Sequence, residues 1–200
     1  KGHRANGFTT NGGYAQYVVN HINTVYKIPD HVPFDEAALI TNLGCVLYGF
    51  QTIGGYIVGD YVAVVGPGPL GLSSVAAARA LGARRVVLFG TRDSRLEVGK
   101  KVGADRVVNV KQTDPVETIM EETDGRGADI VVEASGVEAG VSTSIEGTKK
   151  HGRVLMLSFA HEPIPANFEN LALNNKTIYT VRGEAWANVG RAVTLLDRGT

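Results

Sequence analysis

The sequence predicts an α/β fold built on a six-stranded parallel sheet, doubly wound, with strand order 3-2-1-4-5-6 and a short β-rich strip ahead of it. Two observations carry this. From Gly59-Asp60 onward, short β-rich runs alternate regularly with helical sequence. Those runs are apolar throughout rather than at every second residue, as strands covered on both faces must be. Right-handed crossovers between such strands then give the doubly wound topology.

The first 34 residues have a different texture. Residues 14–19 and 24–28 are β-rich runs flanked by Gly, Asn and Pro, and they read as two strands of an irregular strip. Turn chemistry at Pro29-Asp30-His31-Val32-Pro33 closes the strip, and Ala/Leu-rich residues 36–50 read as a helix. The chain accordingly divides into residues 1–34, a β-rich strip, and residues 35–200, the α/β domain.

Within that domain residues 61–65 form the first buried strand, and residues 70–81, rich in alanine, the first covering helix. Residues 86–89 are the second strand. A helix over 93–102 follows, with Ser94 and Glu97 as cap signals, and then a third strand over 106–110. Asp114-Pro115-Val116-Glu117 supplies a capping residue, a proline at the first helical position and an acid three residues after the cap; Gly125 ends the helix they open. Strands over 129–133, 153–157 and 177–181 come next, separated by helices over 138–149 and 168–173. Val189, Ala192, Val193 and Leu196 make the apolar stripe of the last helix, which Gly199 stops.

Composition narrows the function. Twenty Lys and Arg balance twenty Asp and Glu, so the basic footprint of a nucleic-acid or anionic-membrane binder is missing. A 44% hydrophobic and 20% charged chain without biased tracts is neither disordered, collagenous nor coiled-coil. Cys45 is the single cysteine, which forbids an internal disulfide and points to a reducing, cytoplasmic setting. No apolar run approaches the length of a membrane span, and no secretory segment follows Lys1. With no initiator Met and a polar opening over residues 2–13, the chain reads as the middle of a longer protein.

Gly66-Pro67-Gly68-Pro69-Leu70-Gly71 fits G-x-G-x-x-G, a weak signal alone, but it follows the first strand and opens the first helix. In that context Gly66 makes the tight turn, Gly68 lets backbone approach a pyrophosphate, and Gly71 allows close helix-to-strand packing; Pro69 and Leu70 begin the phosphate-facing helix. A plain strand-to-helix turn, or a site for another nucleotide-type ligand such as a methyl donor, are the competing readings. An acid at the end of the second strand, about 20 residues beyond the glycines, would select NAD through the ribose hydroxyls. This chain has Phe89-Gly90-Thr91-Arg92 there. Gly90 leaves room, the Thr91 hydroxyl can hydrogen-bond, and the Arg92 guanidinium can pair with a 2′-phosphate, with Arg95 as a second partner; NADP is favoured over NAD. The alternative has Arg92 solvated and Asp93 reaching the ribose.

Ala134 and Ser135 offer small residues where a cofactor would cross the sheet, and Ser158 does so after the fifth strand, unless these are ordinary strand-end turns. His3, His21, His31, His151 and His161 show no metal-ligand spacing and read as structural or surface residues. Cys45 sits in an apolar helix, where a free cysteine behaves as a small hydrophobe. No catalytic and no metal-ligating residue is assigned.

Taken together, Gly12-Gly13-Tyr14-Ala15-Gln16-Tyr17-Val18, Gly59-Asp60, the glycine loop and residues 96–105 (LEVGKKVGAD) come in an order that resembles the zinc-type medium-chain alcohol, polyol and threonine dehydrogenases. The resemblance runs over nearly the whole chain. It implies a central Rossmann domain binding a nicotinamide dinucleotide, which Gly90-Thr91-Arg92 favour as NADP with NAD as the alternative, beside a catalytic domain made from both chain ends, of which residues 1–34 are a remnant. It also implies a zinc that polarises a small alcohol or carbonyl substrate, its ligands preceding Lys1. Edge-strand pairing into a homo-oligomer through residues 177–181 is a further implication. The sequence departs from the family at Thr41-Asn42-Leu43-Gly44-Cys45, where an acidic segment is common, so neither Thr41 nor Asn42 supplies that carboxylate. A zinc-independent quinone or enoyl reductase and a dinucleotide-sensing module without turnover are the rival readings. The chain alone is expected to bind cofactor without appreciable catalysis.

Overall fold

The computed structural model describes residues 6–7, 9–160 and 162–199; His3 and His161 lie outside them. Six strands make one parallel sheet: β1 (Tyr61–Val65), β2 (Arg85–Gly90), β3 (Arg106–Asn109), β4 (Ala128–Glu133), β5 (Thr148–Met156) and β6 (Thr177–Thr180). Their order is β3-β2-β1-β4-β5-β6 and every pairing is parallel, as the apolar runs predict. Eight helices accompany them among the described residues: α1 (Phe34–Ala37), α2 (Ile40–Thr52), α3 (Pro69–Ala80), α4 (Asp93–Lys101), α5 (Pro115–Glu122), α6 (Glu138–Gly147), α7 (Phe168–Leu173) and α8 (Trp186–Asp197). None of them is long and apolar enough to cross a membrane.

The central strand shows why its sequence must be apolar at every position. Val62 and Val64 point into one core with Phe50 of α2, Val75 of α3 and Leu155 of β5, while Tyr61, Ala63 and Val65 enter a second core with Phe89 and Ile119. All five side chains of β1 are buried. Neither face has water to accept a polar residue.

At the amino ends of the strands polar groups are clasped together. The Glu122 carboxylate, at the end of α5, accepts from the Tyr61 hydroxyl at 3.1 Å, from Arg85 at 3.0 and 3.1 Å, and from Arg106 at 2.8 Å. One side chain thereby joins β1, β2 and β3. Asp105 accepts from the backbone N–H of Val86 at 2.7 Å and pairs with Arg79 of α3.

Three expectations are corrected. Residues 14–19 and 24–28 form no strand; among the described residues ahead of α1 there is only a bridge between Asn6 and Thr10 and a 3-10 turn at Ile22–Thr24. A strand needs a ladder partner and a face to bury, and Tyr14, Tyr17 and Val19 stand almost fully exposed with neither. Helix α4 has Arg92, not Ser94, at its N-cap and no side-chain cap, because it begins at Asp93 and Ser94 falls inside it. Strand β5 begins at Thr148 rather than 153, since Thr148 pairs with Ala128 before the register slips and resumes at Arg153 opposite Ile130. The Asp114 cap, by contrast, is as expected: its carboxylate accepts from Val116 and Glu117 N–H at 2.8 and 2.9 Å.

Candidate functional site

The carboxyl ends of β1, β2 and β4 open into a cleft of about 740 Å³. It lies where neighbouring strands β1 and β4 send their connections to opposite sides, the position at which open α/β sheets bind ligands. Three of its walls are sequence features brought together by the fold.

The floor is the glycine loop. Gly66 has φ +105°, and a Cβ there would come within 2.8 Å of the Ala134 carbonyl carbon and the Ser135 nitrogen. Gly68 forms the N-cap of α3, with no side-chain cap and nothing within 4 Å of where a Cβ would stand. The start of α3 is thus left without a side-chain cap where Gly68 lines the cleft, the kind of place that takes an anionic phosphate. Gly71 lies beneath: a Cβ on it would be 1.8 Å from the Gly66 carbonyl oxygen, so the helix seats directly on the loop.

The second wall is the tip of β2. Gly90, Thr91, Arg92 and Arg95 line the cleft, and a Cβ on Gly90 would meet the Pro67 ring at 2.5 Å. Asp93 does not line it; its carboxylate accepts from the Asn109 amide at 2.7 Å. Val110, Pro115 and Val116 give this end an apolar side suited to a planar base, with the capped Asp114 carboxylate at its rim. These four escaped the sequence reading, although the Asp114-Pro115 pair was visible as a helix start.

The third wall is the turn after β4, where Ala134 and Ser135 line the cleft. Beneath it stands a residue the sequence reading passed over. Glu133, the last residue of β4, is fully buried. Its Oε1 accepts from the N–H of Ser135 at 2.8 Å and of Gly136 at 3.1 Å, and also from the Ser135 hydroxyl. Its Oε2 accepts from the Ser158 hydroxyl, which follows β5. Gly140 of α6 makes room, since a Cβ there would lie 2.0 Å from Ser135 Oγ. The only signal in the sequence was a carboxylate closing the apolar run Ile130-Val131-Val132.

Of the twelve candidate residues, Gly66, Gly68, Gly90, Thr91, Arg92, Arg95, Ala134 and Ser135 line the cleft. Pro69, Leu70, Gly71 and Ser158 do not: Leu70 packs on the core, Gly71 under the loop, and Ser158 on Glu133.

Among the described residues no three His, Cys, Asp or Glu side chains gather to hold a metal. Thr41 is exposed near the start of α2. Burial, aided by the charge of Glu184, pushes the Cys45 thiol up to about 11. These residues do not fit a zinc centre.

A family model for zinc-binding dehydrogenases matches residues 69–198. L-threonine 3-dehydrogenase of Pyrococcus horikoshii is 35% identical over 190 residues, covering 92% of this chain and 54% of that protein. Sorbitol dehydrogenase of Bacillus subtilis is 30% identical over 171 residues, 85% of this chain and 48% of that one. A crystal structure from Sinorhizobium meliloti, described as a zinc-binding dehydrogenase bound to NADP, superposes with a TM-score of 0.89 and 28% identity, covering 98% of this chain and 58% of that one. The chain spans about half the length of the curated relatives it matches. By the reach of the family model and the identity to these relatives, the chain belongs to the zinc-binding dehydrogenase family.

Proposed function

We propose that this chain is the cofactor-binding part of an oxidoreductase that moves hydride between NADP(H) and an alcohol, polyol or hydroxy-amino-acid substrate. One observation carries the cofactor: Thr91, Arg92 and Arg95 face the cleft at the tip of β2 while Asp93 is turned to Asn109. Two guanidinium groups and a hydroxyl suit a 2′-phosphate, and no carboxylate at the strand tip repels it. The NADP named for the Sinorhizobium structure agrees. The substrate class rests on the threonine and sorbitol dehydrogenases among the relatives.

In this reading the chain's own residues bind and orient. The α3 N-terminus and Gly68 take the pyrophosphate, Val110 and Val116 flank the base, and the turn at Ala134 and Ser135 receives the nicotinamide half. The dinucleotide, when bound, supplies the hydride chemistry. No zinc ligand set gathers among the described residues, so the zinc ligands are assigned to sequence outside these 200 residues, and residues 1–34 to a second domain. With the substrate walls elsewhere, the chain binds cofactor without appreciable turnover. The open edge of β6 (Thr177–Thr180) is the surface through which two copies would pair.

Parallel calorimetric titrations of NADPH and NADH into the chain, repeated with Arg92→Ala, test the proposal. NADPH is expected to bind more tightly, and the substitution to weaken it by about 10- to 100-fold, the range for charge-assisted hydrogen bonds, while NADH changes little. An NADH preference unaffected by the substitution overturns the assignment.

A further inference from the structure

We infer that the Glu133 carboxylate is a positioning residue that also favours the oxidised, cationic nicotinamide over the neutral reduced one; the inference rests on the dinucleotide reading above. Glu133 is fully buried, and among its recorded partners there is no cation. It is held by two backbone N–H groups and two hydroxyls, the donor set of an acceptor-only carboxylate. Hydrogen bonds from neutral donors stabilise a charge without cancelling it.

Its place gives that charge a use. With phosphate on α3 and the base beside β2, a dinucleotide continues over the ends of β4 and β5. Glu133 is the last residue of β4, directly under the cleft-lining Ser135, and reaches across to Ser158 beyond β5. The fixed negative charge thus lies beneath the half of the cofactor whose charge changes on hydride transfer. In a poorly screened interior a unit charge acts over several ångströms on another. It strengthens binding of the ring that carries +1 and does little for the neutral ring. By linkage, tighter binding of the oxidised form makes the bound cofactor harder to reduce.

The test compares NADP⁺ and NADPH affinities of the wild-type chain, Glu133→Gln and Glu133→Asp. A third probe, 2′-phospho-ADP-ribose, lacks the nicotinamide. Glu133→Gln is expected to weaken NADP⁺ by on the order of tenfold relative to NADPH, leaving 2′-phospho-ADP-ribose unchanged. Glu133→Asp, shorter but still charged, is expected to retain the wild-type ratio even where both absolute affinities fall. Equal losses of both forms in Glu133→Gln would show a purely structural tie and overturn the inference. If Glu133→Gln does not fold, the wild-type chain decides: tighter binding of NADP⁺ than of NADPH supports the inference, and equal or tighter binding of NADPH refutes it. A wild-type chain that binds none of the three probes refutes the dinucleotide reading itself.

Discussion

Substituting Gly71 and Gly68 separately divides what the glycine loop does for the fold from what it does for a ligand. A methyl on Gly71 would lie 1.8 Å from the Gly66 carbonyl oxygen and 3.0 Å from its carbon. Restoring an ordinary contact requires a backbone movement of about 1.5 Å in either α3 or the loop. Overpacking of this kind costs about 1–3 kcal/mol, and with backbone on both sides the upper end applies. At roughly 2–4 °C per kcal/mol for a chain of this size, Gly71→Ala should melt about 6–12 °C lower. Gly68→Ala behaves differently. Gly68 has φ −84° and ψ −178°, which alanine adopts freely, and its Cβ would meet nothing within 4 Å. Only the poorer N-cap costs stability, about 1 kcal/mol or less. That methyl, however, occupies the space through which backbone N–H groups would reach a pyrophosphate, and NADPH affinity should fall by about 10- to 100-fold. Thermal melts by circular dichroism and calorimetric titration read both effects. A Gly71→Ala melt equal to wild type, or a Gly68→Ala variant that binds NADPH normally, would refute the division.

Other consequences are open to measurement. Burial alone would raise the Glu122 pKa, but hydrogen bonds from Arg85 and Arg106 outweigh it and hold the carboxyl below its ordinary 4.5. Its stabilisation is therefore complete above about pH 4.5 and is lost as pH falls through the lowered value. Because Arg85 and Arg106 are 37% and 41% exposed, Glu122→Gln should cost about 1–3 kcal/mol at neutral pH, below the range for fully buried pairs. Urea titrations from pH 7 to 3 should show a flatter acid limb in the variant, and parallel limbs would contradict the assignment. Cys45, with its thiol raised to about 11, should alkylate slowly near neutrality and about tenfold faster per pH unit toward that value. Half-maximal reactivity near the ordinary ~8.5 would show an open thiol instead.

What could be read in advance divides by the range of the interactions involved. Strand order was legible because β1, β2 and β4 are buried on both faces, and that demand is written in each run separately. The Asp114 cap was legible because donor and acceptor lie within three residues. Glu133 was not, since Ser158, which completes its hydrogen bonding, lies 25 positions away. The start of β5 was hidden for a related reason. Lys149, Lys150 and His151 look unlike a buried strand, and only the pairing of Thr148 with Ala128 draws that stretch into the sheet. Residues 14–19 and 24–28 have strand composition without a partner to realise it. Ser94 shows the limit of cap signals: a serine one position inside a helix looks, in sequence, like a serine at its start.

The Glu122 clasp also bears on the order in which the molecule can be assembled. Every group on it belongs to residues 61–122, and so do both partners of the Asp105 pairing with Arg79. A chain emerging from its amino end therefore has the means to neutralise these charges as soon as α5 is made, before β4 exists. The half of the sheet that carries the glycine loop and the β2 tip can close on its own terms, leaving only the β4 edge of β1 waiting for a neighbour.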